Sequence, residues 1–425
     1  MLVGTWSWFR LLLLCVACAL WGACAPRRPQ REQPKPAPSA MPAAVPGPGV
    51  LPTTSRGDVA RGRELVQRFE CNRCHEGTGQ GTAPLAKNCF SCHEQIMTGK
   101  FPVSAAALAR FRPHVASARD APSLTALGAR LEQRWLVDYL LDPRDLRPRL
   151  TPSMPRLPID ATQAADIAAY LLQSGVAPAP PASAPGNLVR GRELIEQKGC
   201  TSCHVFSGVQ PFAASEAAPA GSDVARAAAL APDLRFTRER FQRDRLLGWL
   251  LDPKAIKPDT RMPNFDLSPE EAADIAAYLL GATLAPPQVA PFVRLPLLTR
   301  HVSFEEANRR VFSRTCHHCH ADAESAGGDG GPGNTGGFGF APRGVSFSSH
   351  ASILAGYMDA KGERRSLFEP LADGTPRLVA ALLARHDEAR SLPRDAVRGM
   401  PLGLPPLSAE DIQLVESWVA QGRPL

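Results

Sequence analysis

The chain has no cysteine to spare beyond its first 24 residues. Of 11 cysteines, Cys15, Cys18 and Cys24 lie near the N-terminus, and the other eight are used up in four short motifs. No thiol remains for a disulfide framework or a structural zinc site. Aromatic residues make up only 6% of the chain, and no basic stripe is interleaved with them. A net charge of +7 without such a stripe gives nucleic-acid binding little support. After residue 25 no apolar stretch is long enough to cross a bilayer as a helix. The Val/Ile/Thr-rich alternation that marks strands is also missing. The expected fold class is therefore all-α.

What the chain does have is the spacing Cys-x-x-Cys-His, four times over. The copies are Cys71-Asn72-Arg73-Cys74-His75, Cys89-Phe90-Ser91-Cys92-His93, Cys200-Thr201-Ser202-Cys203-His204 and Cys316-His317-His318-Cys319-His320. With 11 Cys and 10 His in 425 residues, composition alone would produce about 0.007 such motifs. The spacing is the attachment signature of c-type haem: two thiols add to the vinyl groups, and the adjacent histidine is placed to ligate the iron. Four covalently attached haem c groups are expected. Their eight propionates would offset the positive charge.

The run 11–25 is strongly apolar and follows Trp6, Trp8, Phe9 and Arg10. It reads as a secretory signal peptide, which agrees with haem attachment outside the bacterial cytoplasm. Gly22-Ala23-Cys24 at its end resembles a lipoprotein cleavage point, although Trp21 stands where such signals usually carry an aliphatic residue. Lipidation at Cys24 would hold the protein on the periplasmic side of the membrane through an N-terminal anchor. Cleavage without a lipid is the alternative. An uncleaved anchor is disfavoured, because the run is short and Arg27, Arg28 and Arg31 follow it.

Three Pro-rich segments, 26–52, 178–185 and 286–296, read as a tether and two linkers. Between them the chain repeats itself. Gly62-Arg63-Glu64-Leu65 returns as Gly191-Arg192-Glu193-Leu194, and Leu141-Asp142-Pro143 as Leu251-Asp252-Pro253. Ala165-Asp166-Ile167-Ala168-Ala169-Tyr170-Leu171-Leu172 recurs unchanged at 273–280. A third, more diverged unit carries the last motif, Gly399-Met400-Pro401 and an apolar helical pattern over 408–421. The expected units are 56–176, 187–283 and 297–423. The second motif rides on an insertion at about 87–119. Amphipathic helices are expected over 58–68, 188–197 and 304–313. Closing helices are expected behind the caps Asp160, Ser268 and Ser408.

These features resemble class I cytochrome c domains, in which a helix leads into CxxCH, a loop follows, and a Met precedes a closing helix. The resemblance implies His75, His204 and His320 as proximal iron ligands and Met154, Met262 and Met400 as distal ones. Met358 is a rival to Met400. It also implies a loop proline that orients the proximal histidine, matched by Pro122 and Pro232 and more loosely by Pro342. His93 would be proximal for the second haem. The distal ligand of that haem has to come from elsewhere: His114 leads, with Met97 or an open position as alternatives. His317, His318, His301, His350 and His386 read as bystanders, surface residues or capping residues. The Gly-rich stretch 327–339 follows no strand and reads as a floppy insert rather than a nucleotide loop.

The function these features imply is electron transfer between redox protein partners, a donor and an acceptor, outside the cytoplasmic membrane. The chain would serve alone or as a subunit of a membrane complex. The alternative is a haem enzyme, a peroxidase or small-anion reductase, working at the Cys89/Cys92 haem.

Overall fold

The computed structural model describes residues 57–115 (His114 without its side chain), 120–150, 154–175, 185–213, 218–219, 221–287, 290–324, 329–390, 392 and 397–425. All belong to one unit, Pro52–Leu425. Cys24 and the Pro-rich tether lie outside the described residues.

Each repeat begins with a side-chain-capped entry helix. Asp58 accepts from the Arg61 N–H at 2.9 Å to open Val59–Arg68, and Asn187 accepts from the Arg190 N–H at 3.0 Å to open Leu188–Gln197. The closing helices Ala161–Leu171 and Pro269–Gly281 start on capping boxes, Asp160 with Gln163 and Ser268 with Glu271. In the third unit Ser408 caps Ala409–Ala420. Its entry segment departs from the expected single helix. A short α-turn, Phe304–Ala307, passes into a π-helix, Asn308–Phe312. There the Ser313 N–H and hydroxyl both donate to the Asn308 carbonyl, at 2.9 and 2.8 Å, and hold the wider turn.

Entry and closing helices cross at a glycine. A Cβ on Gly62 would lie 2.0 Å from the Asp166 carbonyl oxygen, and one on Gly191 would lie 2.0 Å from that of Asp274. Any side chain there would force the helices apart. The aspartate at the crossing also ties the entry helix down. The buried Asp166 carboxylate accepts from the Asp58 N–H at 2.7 Å and from Arg61 Nη2 at 3.0 Å. Asp274 accepts from the Asn187 N–H at 2.6 Å and pairs with Arg190 at 3.3 Å. A carboxylate at a helix N-terminus is stabilised by the orphan N–H groups and the helix dipole.

The hydrogen bond from Arg61 holds the Asp166 carboxyl below its ordinary value of 3.8. A depressed carboxylate pKa stabilises the fold above the unfolded-state pKa, and that stabilisation is lost as pH falls through the folded value. Asp166→Asn should therefore cost about 2 kcal/mol at neutral pH. The gap to the unmutated protein should close as both are titrated well below pH 3.8. Thermal unfolding against pH checks this, and a gap that persists in strong acid would sink it.

The middle helices, Gln133–Leu141 and Arg243–Leu251, complete the first two units. Val66, Trp135 and Ile167 of the first belong to the same apolar core as Ile195, Leu246 and Ile275 of the second. Backbone bonds cross between the units, from the Asp233 N–H to Leu146 O at 2.8 Å and from the Glu132 N–H to Arg240 O at 2.9 Å. The third unit has its own core around Phe312, Ile353, Val379 and Trp418. It meets the first through Arg156, which donates to the Glu388 carboxylate at 3.3 Å and its carbonyl at 2.9 Å. The insertion is a helical hairpin of Cys89–Thr98 and Ala105–Val115. Asn88 caps its first helix, and Gly99, at φ 77°, ends it. Among the described residues the only paired strands are Tyr357–Met358 and Arg364–Arg365, and the all-α expectation holds. No described helix is long and apolar enough to cross a membrane.

Candidate haem-binding site

Three of the four motifs sit on a 3-10 turn directly after an entry segment: Cys71–Arg73, Cys200–Ser202 and Cys316–His318. The chain enters the first two through a left-handed residue, Glu70 at φ 52° and Gly199 at φ 69°. The turns close on a backbone bond from the histidine to the first cysteine: His75 N–H to Cys71 O at 3.0 Å, and His204 N–H to Cys200 O at 2.9 Å. The second motif differs, lying on the α-helix Cys89–Thr98.

The imidazoles of the repeated units are held alike. His75 Nδ1 donates to Pro122 O at 2.8 Å, and His204 Nδ1 donates to Pro232 O at 2.8 Å. The bond fixes the tautomer that leaves the other nitrogen as a lone-pair donor. Burial lowers both pKa values and keeps the rings neutral, as a metal ligand must be. His320 departs from this pattern. Among the described residues its Nδ1 makes no hydrogen bond of good geometry, and the backbone nearest the ring is that of Val345 and Gly333. The ring lies against Gly333, where a Cβ would come within 1.9 Å of it. Burial, partly offset by the nearby Val345 and Gly333 backbone, pushes the pKa of His320 down to about 4.

His75 and Met154 line the same cavity as His204 and Met262, together with Pro122 and Pro232. Its volume is about 1610 Å³, well above the roughly 300–1,000 Å³ of a single-ligand pocket. Among the cations that line it are Arg130, Arg147, Arg240 and Lys257. Burial pushes Arg240 down to about 9 and Arg130 down to about 10, and it lowers Arg147 and Lys257 as well. The buried Arg240 Nε has no hydrogen-bond partner among the described residues. Lys257 pairs with Asp259 at 2.6 Å, but Arg130, Arg147 and Arg240 form no ion pair among the described residues, and such cations around an apolar chamber suit a flat apolar group that carries carboxylates. Haem, with its two propionates, is such a group. The sequence reading missed these cations, yet the repeat marks them. Arg130 and Arg240 each stand six residues after Leu124 and Leu234, and Arg147 and Lys257 each stand five after Asp142 and Asp252.

The remaining motifs close in from the other side. The Cys74 and Cys89 thiols are neighbours, and Cys89 together with burial pushes the Cys74 thiol up. Arg73, inside the first motif, donates Nε to Lys87 O at 2.9 Å and Nη1 to Glu70 at 3.2 Å. It also stacks on Phe338 at 4.7 Å. The His93 ring stands 6.0 Å from the ring of His318, tilted by 46°. Of the two histidines inside the fourth motif, His317 is tied to Phe347 O at 2.8 Å, and His318 is the one beside His93. His114 is carried by the helix Ala105–Val115, and its side chain lies outside the described residues. Met400 follows the helix Arg377–Ala389 and donates its N–H to Ala381 O at 2.9 Å, while Met358 sits in the β-ribbon. Neither lines the shared chamber. The described part of the Gly-rich stretch corrects the expectation of a floppy insert. Gly333 backs His320, and Gly339, at φ 75°, lies where a Cβ would come within 2.2 Å of the Phe69 ring. Glycine there lets the backbone lie flat on both rings.

The cytochrome c family model matches residues 59–175 and 188–283. The chain belongs to the cytochrome c family. Cytochrome c-552 of Bradyrhizobium diazoefficiens is 35% identical over 85 residues, which is 20% of this chain and 65% of that protein. The chain thus spans just under two thirds of that relative's length. No solved structure gives a significant match. As a member of this family, the protein binds haem c covalently.

Proposed function

We propose that the chain carries four haem c groups, one per motif, and relays electrons in series between two protein partners outside the cytoplasmic membrane. The supporting observation is the order in which the motifs touch. The Cys200 and Cys71 motifs share a chamber, the Cys74 and Cys89 thiols are in contact, and His93 neighbours His318. That gives a line running third, first, second, fourth, with the Cys200 and Cys316 motifs at its ends. Donor and acceptor would dock at those ends. Haem c supplies an iron that passes between ferrous and ferric states. The eight motif cysteines tether it, and His75, His93, His204 and His320 present a neutral nitrogen. Met154, Met262 and Met400 offer a soft thioether that favours the reduced state. Arg130, Arg147, Arg240 and Lys257 answer the propionates. Export rests on the signal-like run 11–25, and attachment to the membrane, alone or within a larger respiratory complex, rests on Cys24.

The test is to produce the mature chain with a c-type maturation system, count haem as the pyridine haemochrome and record the spin state. Four low-spin haems per chain that bind neither cyanide nor carbon monoxide are expected. Fewer than four haems, or one high-spin haem that binds cyanide, would replace the relay with a smaller carrier or with catalysis at the Cys89 site.

A further inference from the structure

We infer that His318, an interior residue of the fourth motif, is the distal ligand of the iron held by the second motif, opposite His93. The inference rests on the four-haem reading above and adds to it a ligand donated from one unit to another. Two imidazoles on opposite faces of one iron, each nitrogen about 2.0 Å from the metal, have ring centroids about 6 Å apart. His93 and His318 stand at 6.0 Å. Their 46° tilt is no obstacle, since each plane can turn freely about the nitrogen–iron–nitrogen axis.

The surroundings suit this role. Phe90 meets the His93 ring edge-on at 6.1 Å and 80°. The 3-10 turn Cys316–His318 fixes the backbone of His318. Its own motif bars it from serving the fourth haem, because it is bracketed by Cys316 and Cys319 and stands two residues before the proximal His320. The second and fourth motifs abut closely enough for Cys89 and Cys319 to feel each other's charge. By surface area the His318 side chain is exposed.

The local rival fails on geometry. Met97 follows His93 by four residues on the same helix, Cys89–Thr98. Residues at that spacing share one helix face, so Met97 cannot reach the far side of an iron that His93 holds. Ligation by His318 needs no proton transfer, because a neutral imidazole donates a lone pair while its other nitrogen keeps the proton. The second haem would then be bis-histidine and lower in potential than the three with methionine. The first unit would also be coupled to the third through a coordinate bond.

The experiment is near-infrared magnetic circular dichroism on the oxidised mature chain, with haem counted in parallel, for the unmutated protein, His318→Ala, His318→Met and His114→Ala. Four haems and one bis-histidine band are expected in the unmutated protein. The band should disappear in His318→Ala, give way to a His/Met band in His318→Met and stay unchanged in His114→Ala. The Met variant restores a ligand at the same place, which separates ligation from a loss of structure. A bis-histidine band that survives in His318→Ala, is lost in His114→Ala, or is absent from an unmutated chain carrying four haems overturns the inference alone. Bare thiols at Cys89 and Cys92 in the unmutated chain overturn it together with the four-haem reading, and the haem count tells the two cases apart.

Discussion

Replacing Met262 with histidine should lower the potential of the second unit's haem by on the order of 200 mV, because axial ligands span about 0.8 V and thioether stands at the high end. The thioether sulfur is soft and neutral and favours ferrous iron, whereas imidazole is the better donor to ferric iron. Met262 is well placed for a clean exchange. It is partly buried against the core shared by the first two units and lines the same chamber as His204, which Pro232 holds. A spectroelectrochemical titration would show one step in four moving down while the others stay. Met154→His should do the same in the first unit. Unchanged titrations in both variants would remove these methionines from the iron.

Gly62→Ala should destabilise the protein by about 3 kcal/mol or more, the range of overpacking within a fixed helix crossing. In an open helix the same change would gain about 0.5–1 kcal/mol, so its sign reports the crossing. The added Cβ would sit 2.0 Å from the Asp166 carbonyl oxygen. The obstacle is backbone and cannot swing aside. Pushing it away also strains the bonds from Asp58 and Arg61 to the Asp166 carboxylate. Gly248→Ala is the control. Its Cβ would meet only Ile256 Cδ1, at 3.6 Å, and it should be neutral or mildly stabilising. Denaturant unfolding of the two variants decides the matter. Equal midpoints for Gly62→Ala and the unmutated protein would mean that the helices do not cross as described.

Much of this architecture was legible because it is written locally. CxxCH is a five-residue signal. The capping boxes at Asp160 and Ser268 span four residues, and the octet from Ala165 to Leu172 announces itself by recurring. Contacts between distant residues were not legible in the same way. His93 and His318 are separated by most of two units, and while the motif marks His93, nothing in the sequence sets His318 apart from a spare imidazole. The Gly-rich stretch looked loose because glycine by itself gives no reason for order; the reason lies in the His320 and Phe69 rings it covers. Arg130 and Arg240 fall between these cases. Each alone is one arginine among many, and only the register of the repeat shows that a buried cation is demanded twice at the same place.

The core common to the first two units sets the count of repeats apart from the count of folding blocks. By sequence the chain is a triplet. By its apolar interior it is a fused pair with a single neighbour, since Val66 and Trp135 lie in the same core as Ile195 and Ile275, while Trp418 anchors another. The duplicated halves are therefore not interchangeable modules. Cutting the chain between them would strip each of a face that never meets solvent, whereas the third unit carries a core of its own.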